Sequence, residues 1–187
     1  MPALDGVVFT KLEPHADHRG AFTELFRASW PTDSTPVQWN VVSSDANVLR
    51  GFHVHVEHGD YLTVIFGELF LGLKDVRRNS PTEGCVDVRV IRATDPVAVT
   101  IPSGVAHGFY FPTPSTHLYS VSHYWNPDDE LGCRWDDPDI GIAWPTTAPL
   151  LSERDANAGS FAQMIAALDA GRSRRARRGA SELAPIL

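Results

Sequence analysis

The sequence predicts a mainly β protein, an antiparallel barrel or sandwich followed by a C-terminal helical segment. Two observations carry that prediction. From Val7 to Trp144 the chain is a series of short apolar or alternating runs, broken at close intervals by Gly, Pro, Asn and Asp. After Pro145 the spacing of apolar residues changes to that of a helix. In chain order the candidate strands begin with VVFTKL (7–12) and FTELFR (22–27), both rich in β-branched and aromatic residues. QWNVVSS (38–44) and GFHVHV (51–56) follow, then YLTVIFGELFLGLKDV (61–76), read as one long run. VDVRVI (86–91), VAVTIP (97–102), HGFYF (107–111) and HLYSVSHYW (117–125) complete the set. In LSERDANAGSFAQMIAALDAG, Phe161, Ile165 and Leu168 share one helical face, and Gly171 is the expected stop.

Composition bounds what such a fold can do. At 187 residues and 43% hydrophobic content the chain fits one domain with a normal core. No run approaches the length of a membrane span, and MPALDGVVFTKLEP lacks a basic patch followed by an apolar run, so a soluble, cytoplasmic protein is expected. Cys85 and Cys133 stand in unrelated contexts and argue for neither a disulfide framework nor a thiolate metal site. Residues 171–187 hold five arginines against Glu182, which is +4 of a chain total of −7, leaving −11 for residues 1–170. An acidic body argues against nucleic-acid binding. The run RSRRARR reads as a solvated or frayed helical end.

The stretch RGFHVHVEHGDYLTVIFG (50–67) carries the chemistry. From His53 it reads His-x-His, four residues, Asp60, six residues, Gly67; Pro102-Ser-Gly104-Val-Ala-His107 comes later. Residues two apart on a strand share a face, so His53 and His55 can converge inside a barrel, while a tight turn returns Asp60 on the neighbouring strand. Pro102 and Gly104 make a turn that delivers His107. Three imidazoles and a carboxylate (His53, His55, Asp60, His107) suit zinc, iron, nickel or manganese. The spacing resembles the two motifs of the cupin superfamily, with Asp60 in place of the usual glutamate. Taken singly, His55 reads equally as a hydrogen-bonded strand histidine, and HGD as a plain turn. His15, His18, His117 and His123 lack spacing partners and read as surface or structural.

A longer resemblance covers residues 17 to about 155. Asp17-His-Arg19-Gly20-Ala-Phe22-Thr-Glu24, Gln38-Trp-Asn40, Leu49-Arg50-Gly51-Phe-His53, Ser80-Pro81-Thr82-Glu-Gly84, Ile101-Pro102-Ser-Gly104-Val-Ala106-His107-Gly108-Phe109, Asn126-Pro127 and the block Trp135 to Pro145 are together similar to the dTDP-4-dehydrorhamnose 3,5-epimerase family. That resemblance implies a cupin jelly-roll barrel, a homodimer, a nucleoside-diphosphate sugar in the barrel and no metal. It also implies removal of a proton next to a 4-keto group and its return from the other face. His53 would be the general base, held in tautomer and orientation by Asp137. His107 would line the pocket, Arg50 would bind the diphosphate, and Gln38 and Asn40 would add polar contacts. Arg19, Phe22 and Glu24 match positions that reach the nucleotide from the partner subunit.

Two positions depart from the family's pattern. Asp60 stands where the family has a lysine that stabilises the enolate oxygen, an effect commonly worth about 3 kcal/mol or more. Trp125 stands where the family has a tyrosine acting as the opposing acid, and indole is no proton acid; Tyr124, next to it, would point to the opposite face. Three readings follow. A metal on His53, His55, Asp60 and His107 could replace the lysine, with His58 as the base. A metal-free epimerase or isomerase of a nucleoside-diphosphate 4-keto-6-deoxy sugar could keep His53 as base, with Asp60 or Tyr119 shuttling the proton; this is the expectation adopted. A binding relative could have lost catalysis. The barrel is expected over residues 1–150, with 151–187 as an attached helical segment and Arg-rich tail, not a separate domain.

Overall fold

The structure is a computed structural model in which residues 4–30, 35–124, 126 and 129–182 are described, with side chains described to Gly171. Twelve strands follow in chain order: β1 (Val8–Lys11), β2 (Pro14–Asp17), β3 (Gly20–Thr23), β4 (Gln38–Ser44), β5 (Val48–His55), β6 (Asp60–Phe66), β7 (Glu68–Asp75), β8 (Val86–Arg92), β9 (Val97–Ile101), β10 (Val105–Phe111), β11 (Ser115–Val121) and β12 (Glu130–Gly132). A 3-10 turn at Pro138–Ile140, α1 (Glu153–Ala156) and α2 (Phe161–Glu182) complete the chain. Two five-stranded sheets, ordered β1-β9-β6-β11-β4 and β12-β5-β10-β7-β8, form the barrel, and β2-β3 is a separate hairpin. Every ladder is antiparallel. The predicted jelly-roll architecture with a C-terminal helix is the one observed.

The period of two assigns each side chain its layer. On β7, Leu69, Leu71 and Leu73 are fully buried in the main core with Leu62, Val64, Val99, Ile101 and Phe111. Each such side chain contributes about 1.5–3 kcal/mol of burial. Strand β5 is covered on both faces, which is why its middle reads almost continuously buried. Phe52 and Val54 point to one side and pack with Met164 and Leu168 of α2. His53 and His55 point to the other and line the barrel pocket. Gly51 (φ +124°) lets β5 run close to β10; an added Cβ would lie 2.8 Å from Gly108 Cα.

Several sequence expectations require correction. The long run 61–76 is two strands, because Gly67 turns the chain at φ +76°. FTELFR is strand only to Thr23; Leu25, Phe26 and Trp30 instead pack over Leu12, Tyr61 and Ala98. Gly171 does not stop the helix, which runs to Glu182. Gly171 does not take the positive φ of a helix stop, a Cβ there would only touch Val56, and the arginines beyond it are good helix formers. Cys85 and Cys133 are free thiols, the first exposed and the second buried.

Candidate active site

A pocket of about 430 Å³ opens between the two sheets. Strand β5 supplies His53 and His55, and β10 supplies His107, the register partner of His53. The turn after β5 delivers Asp60 as the first residue of β6 in the opposite sheet, and His117 and Tyr119 enter from β11. The pocket wall continues past residue 150 through Leu151, Ser152, Arg154 and Asp155.

His53 and Asp155 form a dyad, with His53 Nε2 2.7 Å from Asp155 Oδ1. The Asp155 backbone N–H donates to Ser152 Oγ, an N-cap that fixes the short α1, and the Gly51 N–H points to Asp155 Oδ2 at 3.5 Å. Burial acts to raise the Asp155 carboxyl, but the hydrogen bond and charge of His53, with Ser152 and Gly51, hold it below the usual carboxylate range. On the other side of the ring, His53 Nδ1 lies 3.6 Å from Glu130, itself 2.6 Å from Arg154. The expected orienter, Asp137, is elsewhere: its carboxylate accepts the N–H groups of Asp139 and Phe161, capping the 3-10 turn and the start of α2. The carboxylate that contacts His53 in the structure is Asp155, not Asp137.

Beside the dyad, His55 Nε2 and His107 Nε2 stand 3.4 and 3.5 Å from Asp60 Oδ2. Burial, with the nearby Glu130 and Asp129 carboxylates, drives Asp60 up to about 7 against the opposing effect of His58. Burial pushes His107 down to about 4 and His55 well below the usual imidazole value. His107 Nδ1 lies 3.1 Å from the Val105 carbonyl. A carbonyl only accepts, so Nδ1 carries the proton and Nε2 faces Asp60 bare. His58 stacks on His55 at 3.8 Å and bonds Asp129 through Nδ1 at 2.7 Å. Asp129 also accepts the N–H groups of Val56, Glu57 and His58, so it organises the turn. His53 is not part of the ligand cluster; the four-residue metal set is reduced to His55, Asp60 and His107, and His53 keeps its own partner.

The remaining predicted residues divide by place. Arg50 lines the pocket and donates to Ser44 Oγ and the Ser43 carbonyl. Tyr119 lines it too, its phenol raised by burial and by Asp60 and Glu130. Gln38 and Asn40 bond each other on β4, on the same strand face as Val42, but do not line the pocket. Arg19 sits in the β2-β3 turn paired with Asp17, Phe22 is exposed on β3, and Glu24 follows β3 and pairs with Arg27. None of the three touches this chain's own pocket. Trp125 lies outside the described residues.

Sequence reasoning missed Asp155, Glu130 and His117. Asp155 carried one local signal, the capping pattern Ser152-x-x-Asp155, but its partner is 102 residues away. His117 shares a strand face with Tyr119, so the period of two placed it in the pocket although it has no spacing partner. Burial and the charge of Arg50 take it down to about 4.

The chain matches the family model described as dTDP-4-dehydrorhamnose 3,5-epimerase over residues 2–163. It is 38% identical over 169 residues to the dTDP-4-dehydrorhamnose 3,5-epimerase of Neisseria gonorrhoeae, covering 86% of this chain and only 52% of that relative, about half its length. Among solved structures it resembles the Legionella pneumophila dTDP-6-deoxy-D-glucose-3,5-epimerase in complex with dTDP-4-keto-L-rhamnose, with TM-score 0.82, 30% identity, and 89% and 94% of the two chains covered. It also resembles a 3'-monoepimerase from Streptomyces bikiniensis in complex with dTDP-quinovose, with TM-score 0.79, 32% identity and 86% of each chain covered. By the extent of the family match, and by a fold of the same kind, the chain belongs to the dTDP-4-dehydrorhamnose 3,5-epimerase family.

Proposed function

We propose that the protein is an epimerase of a nucleoside-diphosphate 4-keto-6-deoxy sugar, with His53 as the general base. The observation that carries this reading is the His53–Asp155 pair in the pocket wall. An imidazole bonded to a carboxylate is suited to take up a proton, because the carboxylate stabilises the imidazolium that forms. Arg50 supplies the charge and fork geometry for the diphosphate. The pocket volume lies in the range of small-molecule sites. Abstraction of the C3 or C5 proton gives an enolate with charge on the 4-oxygen, and reprotonation from the opposite face inverts the carbon. Tyr119 lines the pocket and carries a hydroxyl that can serve in the return step.

A homodimer is part of the same proposal. Strand β4 is a free edge of its sheet, and Trp39 and Val41 are 44% and 64% exposed on its outward face. Pairing two copies there covers the edge and gives the exposed Phe22 and Arg19 a neighbouring pocket to reach. Among the described residues no helix is long and apolar enough to cross a membrane, and free thiols suit the cytoplasm.

The test is product analysis. The protein is incubated with dTDP-4-keto-6-deoxyglucose, the keto group is reduced with borohydride, and the released sugars are separated. A 6-deoxyhexose inverted at C3 or C5 is expected. Recovery of only the glucose- and galactose-configured products of direct reduction contradicts the reading.

A further inference from the structure

We infer that His55, Asp60 and His107 form a binding site for one divalent first-row transition metal ion, facing the pocket beside His53. Three observations converge on it. The first is spacing. Three ligands about 2.1 Å from a tetrahedral ion are about 3.4 Å apart, and the two imidazole nitrogens lie 3.4 and 3.5 Å from Asp60 Oδ2. That is too long for a charge-assisted hydrogen bond and the right separation for donors sharing a cation.

The second is unmet bonding. Asp60, His55 and His107 are only 6, 7 and 4% exposed, and Asp60 Oδ2 has no hydrogen-bond partner. The Val105 carbonyl fixes the His107 proton on Nδ1, so a bare nitrogen faces a bare carboxylate oxygen. Such an arrangement needs a proton or a cation between the two atoms, and at 3.5 Å they are too far apart for a shared proton to bond them well. The hydrogen bond from the far ring nitrogen to a backbone carbonyl is also what orients a ligating histidine.

The third is contrast with the neighbouring cluster, in which His55, His58 and Asp129 also lie within ligand distance. There Asp129 accepts three backbone N–H groups and the His58 ring, so its oxygens are committed to the turn. Asp60 has no such commitments, which selects the first cluster. Two imidazoles and one carboxylate, with no thiolate, suit iron, manganese, cobalt, nickel or zinc.

The site's use in catalysis rests on the epimerase reading; its existence does not. No lysine lines the pocket among the described residues, and Arg154 is tied to Glu130. A bound ion supplies there a Lewis acid for a carbonyl oxygen. His53, held by Asp155 and outside the ligand set, remains available as a base.

The experiment titrates metal-free protein with Co²⁺, reading its visible absorption, and with Zn²⁺ by calorimetry. One equivalent per chain is expected to saturate at micromolar concentration. Asp60→Asn and His107→Gln are each expected to weaken binding on the order of 100-fold or more, while His123→Ala at an exposed histidine leaves it unchanged. Circular dichroism confirms that each variant is folded, and the two ligand variants stand in for each other if one is not. Absence of saturable binding, or wild-type affinity in a folded ligand variant, overturns the site. Isotope exchange into the sugar is scored separately: binding without exchange refutes the epimerase reading alone, and exchange without binding refutes the metal site alone.

Discussion

Two carboxylates that look alike in the sequence have opposite fates in the structure. Asp155 completes the dyad with His53, and Asp137 caps two backbone segments. Asp155→Asn is expected to lower kcat on the order of 10²–10⁴-fold with KM little changed, measured by steady-state kinetics on the keto sugar. Asp137→Ala is expected to leave turnover near wild type and cost about 1 kcal/mol of stability, measured by urea denaturation; the reverse pattern would restore Asp137 as the orienter. His53, His55, Asp60 and His107 were legible because strand periodicity and two turns place them from local spacing alone. Asp155 was not, because its contact spans 102 residues and its local sequence reads as a helix cap. The four-ligand metal set failed for a similar reason: His53 shares a face with His55, but a partner from the far end of the chain claims it.

Strand β5 combines two demands that meet at Gly51. It must present His53 and His55 inward and Phe52 and Val54 to α2, while crossing closely over β10 at the register shift between His107 and Phe109. Gly51→Ala places a Cβ 2.8 Å from Gly108 Cα at φ +124°, so a loss of about 1–3 kcal/mol is expected, read as a lower denaturation midpoint; a neutral effect would show that the strands can part. Most strands were visible as alternating runs of five to eight residues. β2 and β12 were not, being four and three residues long. β12 nonetheless matters, because it carries Glu130 to the site and pairs with β5 opposite His53 and His55. The end of α2 was misplaced because glycine is a stop only where the backbone takes a positive φ, which packing against Val56 does not ask of Gly171.

At the scale of the molecule, buried charges set the response to acid. Burial works to raise Asp75, but its bonds to Arg77, Ser80 and Thr82 prevail and depress its carboxyl far below the ordinary value. The unfolded chain therefore binds the proton more readily. The stability from this site is present above the unfolded carboxyl value of about 4 and is lost as pH falls below it. His117, buried neutral with its value lowered to about 4, acts in the same sense from about pH 6.5 downward. Thermal melts should show stability falling on the acid side, with Asp75→Asn less stable at pH 7 and less sensitive below pH 4; equal acid slopes would contradict this. If the proposed dimer pairs through β4, wild type is expected to scatter light as a dimer and Trp39→Glu to shift it towards monomer; a monomeric wild type would contradict the dimer, and an unaltered dimer in the variant would move the interface away from β4. Barrel architecture was legible because it follows from strand length and alternation, whereas a partner copy leaves no mark on one chain beyond exposed apolar residues at an edge. The most direct test of the dyad's function is proton NMR of dTDP-4-keto-6-deoxyglucose with the protein in deuterated water. Fading of the C3 or C5 signal with wild type, and its persistence with His53→Ala and Asp155→Asn, is expected; signals that never fade with wild type while the nucleotide still binds would contradict a base at His53.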